Sequence, residues 1–470
     1  MVFSSILFIF VFLPFVLVFY YLSKDKFKNV ILLISSLVFY TVGEHKAIVL
    51  MITSILINYL LALLIEWKRE KDYSRLFLIC DIVINLGILF FYKYLDYSIT
   101  IYNHITNQDI AVLNTVMPIG ISFFTFQAMS YVIDVYRNDV EAEKNILDVG
   151  LYVSFFPQLV AGPIVRYNTI SEQIKKRKMN LELFGEGAYR FMLGFSKKII
   201  LANNLALVAN SSFDYYDFSK LPVTLAWVGS IAFSLQIFFD FSGYSDMAIG
   251  LGKMFGFEFQ ENFNYPYMAQ TITDFWRRWH ISLSQWFRDY VYFPLGGARV
   301  EISRHILNLF IVWMLTGLWH GANITFVIWG LVYFLMLVQE KYIIKPNKRK
   351  FAFRFIYRIV TLLIVNFGWI LFNMESFGHS AQYIKAMFGL YGNKTIDTYS
   401  IGTIREYSFF LIMSIILSTP IIPKMLDAAE RSKYRKIAIV VVTTVCVFIF
   451  VWAISFLVLG AHNPFIYFNF

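Results

Sequence analysis

Residues 437–460 read IAIVVVTTVCVFIFVWAISFLVLG: twenty-four residues without a charge. A helix needs about 20 apolar residues to cross the hydrocarbon of a bilayer. The run is continuous rather than alternating, which argues against a β-barrel strand. Similar apolar runs occur near 1–23, 29–43, 46–66, 76–93, 111–135, 185–210, 222–250, 303–319, 322–340, 355–373 and 404–421. They use about half of the 470 residues. Composition agrees, with 58% hydrophobic and 15% charged residues, where a soluble domain has about half apolar and a quarter charged. A soluble enzyme, a disordered scaffold and a collagen-like or repeat rod are excluded. The class is a polytopic α-helical membrane protein.

The loops carry the orientation. Lys24–Lys28, Lys68–Arg75, Arg137–Lys144, Arg166–Lys178, Lys341–Arg354 and Lys424–Lys436 are basic, whereas 94–110, 211–221 and 374–403 are poorer in Lys and Arg. Under the positive-inside rule the basic loops face the cytoplasm, and twelve crossings place both termini outside. The net charge of +10 follows from this pattern, and nucleic acid is not needed to explain it. Residues 1–23 carry no charge and no small-residue cleavage site, and read as a retained first span. Cys80 and Cys446 lie inside apolar runs and read as packing residues. No Cys/His cluster suggests a metal.

Two stretches fit a simple span badly. Residues 148–165, VGLYVSFFPQLVAGPIVR, are broken by Pro157, Gly162 and Pro163. Residues 265–297, YPYMAQTITDFWRRWHISLSQWFRDYVYFPLGG, mix Trp, Arg, Asp and His with apolar residues. Proline breaks the helical hydrogen-bond ladder, and each charge in hydrocarbon costs ~2.5–3.5 kcal/mol on insertion scales. Both therefore read as re-entrant or interfacial helices around a wet cavity. No internal repeat is visible, and no hydrophilic stretch is long enough for a soluble domain. The chain reads as one membrane domain.

Within this frame two histidines stand out. His320 lies between Gly317 and Gly321 at the junction of two spans, where another backbone or a ligand can approach closely. Burial keeps an imidazole neutral, as a general base requires; a hydrogen-bonded structural histidine is the rival reading. His280 lies among Asp274, Arg277, Arg278, Arg288 and Asp289, with Trp276, Trp279 and Trp286 interleaved. Interfacial helices have this mixture. The same mixture suits the mouth of a site for an anionic ligand such as a coenzyme phosphate, with Arg277, Arg278 and Trp279 as contacts. Asp240 and Asp246, in FFDFSGYSDMAIG, are ionisable residues near the end of an apolar run, and read as functional or as a buried structural pair. Residue chemistry alone leaves acyl transfer, intramembrane hydrolysis and proton-coupled transport open.

The segments PIGISFFTFQAMSYVIDVYR (118–137), FFPQLVAGPIVRY (155–167), GFSKKIILANNLA (194–206), FSLQIFFDFSGYSDMAIGLGKMFGFEFQENFNYPY (233–267), DFWRRWHISLSQWFRDYVYFPLGG (274–297), LTGLWHGANITFVIWG (315–330) and NFGWILFNMESF (366–377) occur in this order. Together they resemble the membrane-bound O-acyltransferase (MBOAT) family, in particular its bacterial alginate and peptidoglycan O-acetyltransferase branch. The resemblance covers nearly the whole chain. It implies an all-α fold of about 12 transmembrane helices plus re-entrant helices, arranged as a ring around a central catalytic tunnel, in the bacterial cell membrane. It makes His320 the family's invariant histidine and His280 the second motif histidine, and implies acetyl-CoA or another acyl thioester as the donor substrate, with no permanently bound cofactor. The last six residues, FIYFNF, resemble the aromatic tail motif of this branch. That likeness makes 460–470 an extracytoplasmic tail and Tyr467 an acyl carrier; the alternative is an aromatic belt at the interface. The implied partners are a secreted or membrane-anchored SGNH-type (Ser-His-Asp) protein, an extracellular polysaccharide and membrane lipid. D-alanyl transfer to teichoic acid, a non-catalytic transporter or flippase, and a scaffold for a secreted acyltransferase are the alternatives. The motifs do not distinguish among acceptor polymers.

Overall fold

A computed structural model of the chain describes residues 1–69, 73–160, 162–460 and 466. Among these the secondary structure is entirely helical, and ten helices are long and apolar enough to cross a bilayer. Length explains the fit. Ala47–Trp67 has 21 residues, and at 1.5 Å per residue it extends about 31 Å, the thickness of the hydrocarbon layer. Exposure explains the orientation of the side chains. Along Arg435–Val458 only Cys446 and Ala453 are buried. So many outward apolar side chains suit lipid, not water.

Two of the twelve sequence-derived spans take another form. The run at 111–135 yields a helix only from Ile121 to Arg137, 17 residues long, and it is buried continuously from Ile121 to Val135. Pro118 and Gly120 end the apolar run as helix. Gly120 has φ +76°, and a Cβ there would lie 2.7 Å from the carbonyl oxygen of Leu159. This helix is an interior element. The run at 1–23 is helical over 8–22, starting with a π turn at Phe8–Phe12 and continuing as Leu13–Leu22.

The chain packs as two compact units, Met1–Phe191 with Met247–Gln260, and Met192–Asp246 with Glu261–Phe470. In the first, Asp25–Gly43, Ala47–Trp67 and Tyr73–Lys93 accompany the interior helix. Asn58 and Asn85 exchange side-chain hydrogen bonds of 3.1–3.2 Å, and Asn85 also donates to Asp81. Such pairs join helices where apolar contacts alone give no preference over lipid. The 148–165 stretch is broken as its prolines demand, into Ile146–Ser154 and the single turn Phe156–Leu159.

The second unit holds the candidate chemistry. Ile302–His320 and Ile324–Ile344 form a tight helical hairpin. Arg435–Val458 packs on the π turn Lys197–Ala202. The 265–297 stretch is a chain of short pieces: a 3-10 turn at Pro266–Met268, helices at Ile272–Trp276 and Ile281–Phe287, and a π turn at Arg288–Tyr292.

Candidate active site

The His280 segment is too short in each piece to hold itself, so side chains satisfy its backbone. Thr271 caps the first piece, its hydroxyl accepting from Asp274 N–H at 3.0 Å. The Glu340 carboxyl group, 5% exposed, covers the same helix start. It accepts from the backbone N–H of Ile272 at 2.6 Å and of Thr273 at 2.8 Å, and from the Thr273 hydroxyl at 2.6 Å. The Tyr357 hydroxyl donates to it at 3.1 Å. Asn262 does the equivalent for the second piece. Its carbonyl accepts from Ile281 N–H, and its side chain accepts from Ser282 N–H and Oγ. Between these two fixed helices His280 turns the corner at φ 45°, ψ 55°. A non-glycine residue in that region carries a cost of order 1–3 kcal/mol, sustained only where neighbours over-determine it.

His320 is the last residue of Ile302–His320. The hairpin closes tightly because Gly317 and Gly330 carry no Cβ. One added at Gly317 would lie 2.4 Å from the Phe326 carbonyl oxygen, and one at Gly330 2.4 Å from that of Trp313. The next helix starts at an Asn323 cap. At a helix C-terminus the exposed carbonyls favour a cation, which suits a base that carries a proton transiently.

The two imidazoles come together. His280 and His320 both line a cavity of about 310 Å³, with Arg277, Trp279, Ser284 and Thr316 among the other residues. Trp319 touches both rings, at centroid distances of 6.0 Å to His280 and 5.0 Å to His320. Phe241 lies 4.9 Å from His280, and Trp329 and Phe372 each lie 5.1 Å from His320. Burial pushes the His280 imidazole down to about 3, so it is neutral at physiological pH. A neutral imidazole in an aromatic, low-dielectric wall can accept a proton or polarise a carbonyl.

The other sequence-derived residues divide. Arg277 and Trp279 line the cavity; Arg278 is not among its lining residues. Arg278 pairs with Asp274 at 2.8 Å and donates to the Asn264 carbonyl. Arg288 reaches the cavity while paired with Asp289. Asp240 and Asp246 form ion pairs with Lys198 at 2.7 Å and Lys197 at 2.6 Å. Tyr467 lies outside the described residues. Its neighbour Ile466 is described, and its N–H donates to Asp240 Oδ2 at 2.9 Å.

Glu340, Asn262 and the two lysines were not singled out from sequence. Glu340 at the end of the 322–340 run and Lys197–Lys198 inside the 185–210 run carried the signal of ionisable residues in apolar segments. Asn262 carried none, because its role depends on a chain that returns to it.

The family model described as MBOAT, membrane-bound O-acyltransferase family, matches residues 37–378. A probable alginate O-acetylase of Pseudomonas aeruginosa is 42% identical over 395 residues, covering 83% of this chain and 75% of its own. A peptidoglycan O-acetyltransferase of Helicobacter pylori is 36% identical over 428 residues, covering 83% of this chain and 80% of its own. A teichoic acid D-alanyltransferase of Bacillus subtilis is 27% identical over 286 residues, covering 57% and 71%.

Proposed function

The chain belongs to the membrane-bound O-acyltransferase family, and from that premise we propose that it moves an acetyl group from a cytoplasmic thioester to an extracellular glycan. It is a multi-pass membrane O-acyltransferase. The relatives similar over 83% of the chain are named for acetylation of alginate or peptidoglycan, whereas the D-alanyl relative matches 57%. That difference in coverage favours acetyl over D-alanyl.

One observation carries the reading: His280 and His320, from separate segments, share one cavity with Arg277. The guanidinium of Arg277 suits the phosphate oxygens of a coenzyme thioester. His320 removes the proton of the attacking hydroxyl, a role that contributes about 10²–10⁴-fold. His280 orients the thioester carbonyl. Tyr467 is the proposed first acceptor. A phenol with an ordinary pKa of ~10 needs a base at neutral pH. As His320 takes the proton, the phenol oxygen bonds to the carbonyl carbon, the carbon–sulfur bond breaks, and the thiolate leaves as thiol with that proton. A serine of an SGNH-type partner outside the membrane then attacks the acetyl-tyrosine ester and returns a proton to Tyr467. Donor and polymer never meet. The orientation belongs to the same proposal, with both termini outside and the basic loops in the cytoplasm.

His320→Ala tests the chemistry. Acetyl ester on the exported glycan, released by mild alkali, should fall by at least about 100-fold at normal protein abundance. A flippase keeps its transport in this variant, and retained acetylation overturns the reading. Tyr467→Phe tests the relay, because it keeps the ring and removes the nucleophile. Wild-type acetylation in that variant replaces the relay by direct transfer.

A further inference from the structure

We infer that Lys198 and Asp240 are positioning residues that dock the C-terminal tail for acyl transfer; the inference rests on the Tyr467 relay proposed above. The pair is deeply buried, with side-chain exposures of 1% and 4% and an Nζ–Oδ1 distance of 2.7 Å. Lys198 Nζ also donates to Asn203 Oδ1 at 2.9 Å. Asp240 gives its other oxygen, Oδ2, to the backbone N–H of Ile466 at 2.9 Å. Ile466 is itself buried. A carboxylate in the middle of the Val223–Met254 span thus holds a residue from the far end of the chain.

The helices are shaped for this contact. Lys198 lies in the π turn Lys197–Ala202, and π turns inside long helices recur at functional sites. Gly243, one turn after Asp240, brings the Val223–Met254 helix against that turn. A Cβ there would lie 2.7 Å from the Gly194 carbonyl oxygen and 3.1 Å from Lys198 N. The second pair, Lys197–Asp246, has side-chain exposures of 35% and 12%. The deeper pair is the one that receives the tail.

Energetics separates this arrangement from simple stapling. A buried ion pair gives little net stability over apolar residues of the same size, and is better explained where it fixes a register. A buried N–H needs an acceptor, and a charged acceptor makes the stronger bond. Apolar packing by itself does not fix one register of a chain. The Asp240 contact selects Ile466, the residue directly before Tyr467.

Ile466→Pro deletes the donor without touching the buried pair, and Ile466→Val keeps it as the control. The reporter is Asn469→Cys in a Cys80→Ala/Cys446→Ala background, labelled with a maleimide on the whole purified protein in detergent. Labelling of Ile466→Pro should rise about 10–100-fold over Ile466→Val, the range for losing one hydrogen bond to a charged group. The double variant Lys198→Met/Asp240→Leu, which replaces the pair by apolar bulk, should do the same. In both, acetylation should fall through kcat, with the KM for acetyl-CoA unchanged. A general loosening of the protein would move KM as well. Unchanged labelling in folded Ile466→Pro overturns the docking. Faster labelling with full acetylation overturns the positioning role. Failure of the relay alone is read separately, as Tyr467→Phe with wild-type acetylation and wild-type slow labelling.

Discussion

Replacing Glu340 by Gln should free the His280 corner while leaving most of the protein intact. Oε1 of Glu340 accepts from the Ile272 N–H and the Tyr357 hydroxyl, and Oε2 accepts from the Thr273 N–H and hydroxyl. Glutamine has the same size but one acceptor oxygen. Whichever way its amide lies, one backbone N–H faces an NH₂ group and loses its acceptor. An orphaned buried donor costs about 1–3 kcal/mol, and the remaining bonds lose their charge-assisted part, so about 2–3 kcal/mol is expected for the whole change. At 1.36 kcal/mol per tenfold, amide exchange at Ile272 and Thr273 should speed up by about 30–150-fold. The segment also carries Arg277 and His280. A displacement of about 1 Å at a reacting group costs on the order of 10²-fold in rate, so kcat/KM should fall by about that factor. Hydrogen-exchange mass spectrometry of the 266–292 peptides and acetyl transfer on the same preparation provide the two readings. Unchanged exchange at Ile272 and Thr273 in a folded Glu340→Gln variant would refute the clamp, whatever the activity does.

Three further outcomes follow from the same geometry. Burial lowers the His280 pKa from 6.5 to about 3, so the unfolded chain binds the extra proton first. Stability attributable to neutral His280 is complete above pH 6.5 and is lost as pH falls toward 3. His280→Asn should therefore lose less Tm than the wild type over that interval in thermal melts, and parallel curves would contradict the burial argument. Lys198→Met leaves Asp240 without its cation and should cost about 3–5 kcal/mol, whereas Lys198→Met/Asp240→Leu should recover most of it; melting curves of the three proteins measure the difference. Gly330→Ala places a Cβ 2.4 Å from the Trp313 carbonyl oxygen, and the strained hairpin should lose about 1–3 kcal/mol and much of its activity. Gly185→Ala, with nothing within 4 Å, serves as its control.

Hydropathy made the membrane class and the position of most spans legible, because a span must supply its apolar length from consecutive residues. The run at 111–135 marks the limit of that argument, its helix being 17 residues long. Apolar length does not say whether the neighbours are lipid or protein, and Ile121–Val135 is enclosed by protein. His280 and His320 were visible as polar residues in apolar surroundings, and the order of the motifs supplied the family. Their sharing of one cavity was not visible. It depends on Gly317 and Gly330 closing one hairpin and on Glu340 and Asn262 holding the 272–287 pieces from outside. The Lys198–Asp240–Ile466 contact is the extreme case, joining residues 226 positions apart through one carboxylate. Local sequence determines which segments are helical and which side chains are costly to bury. Only the tertiary structure decides which buried charges and donors meet, because that choice is set by the close packing of distant segments rather than by any property of either segment alone.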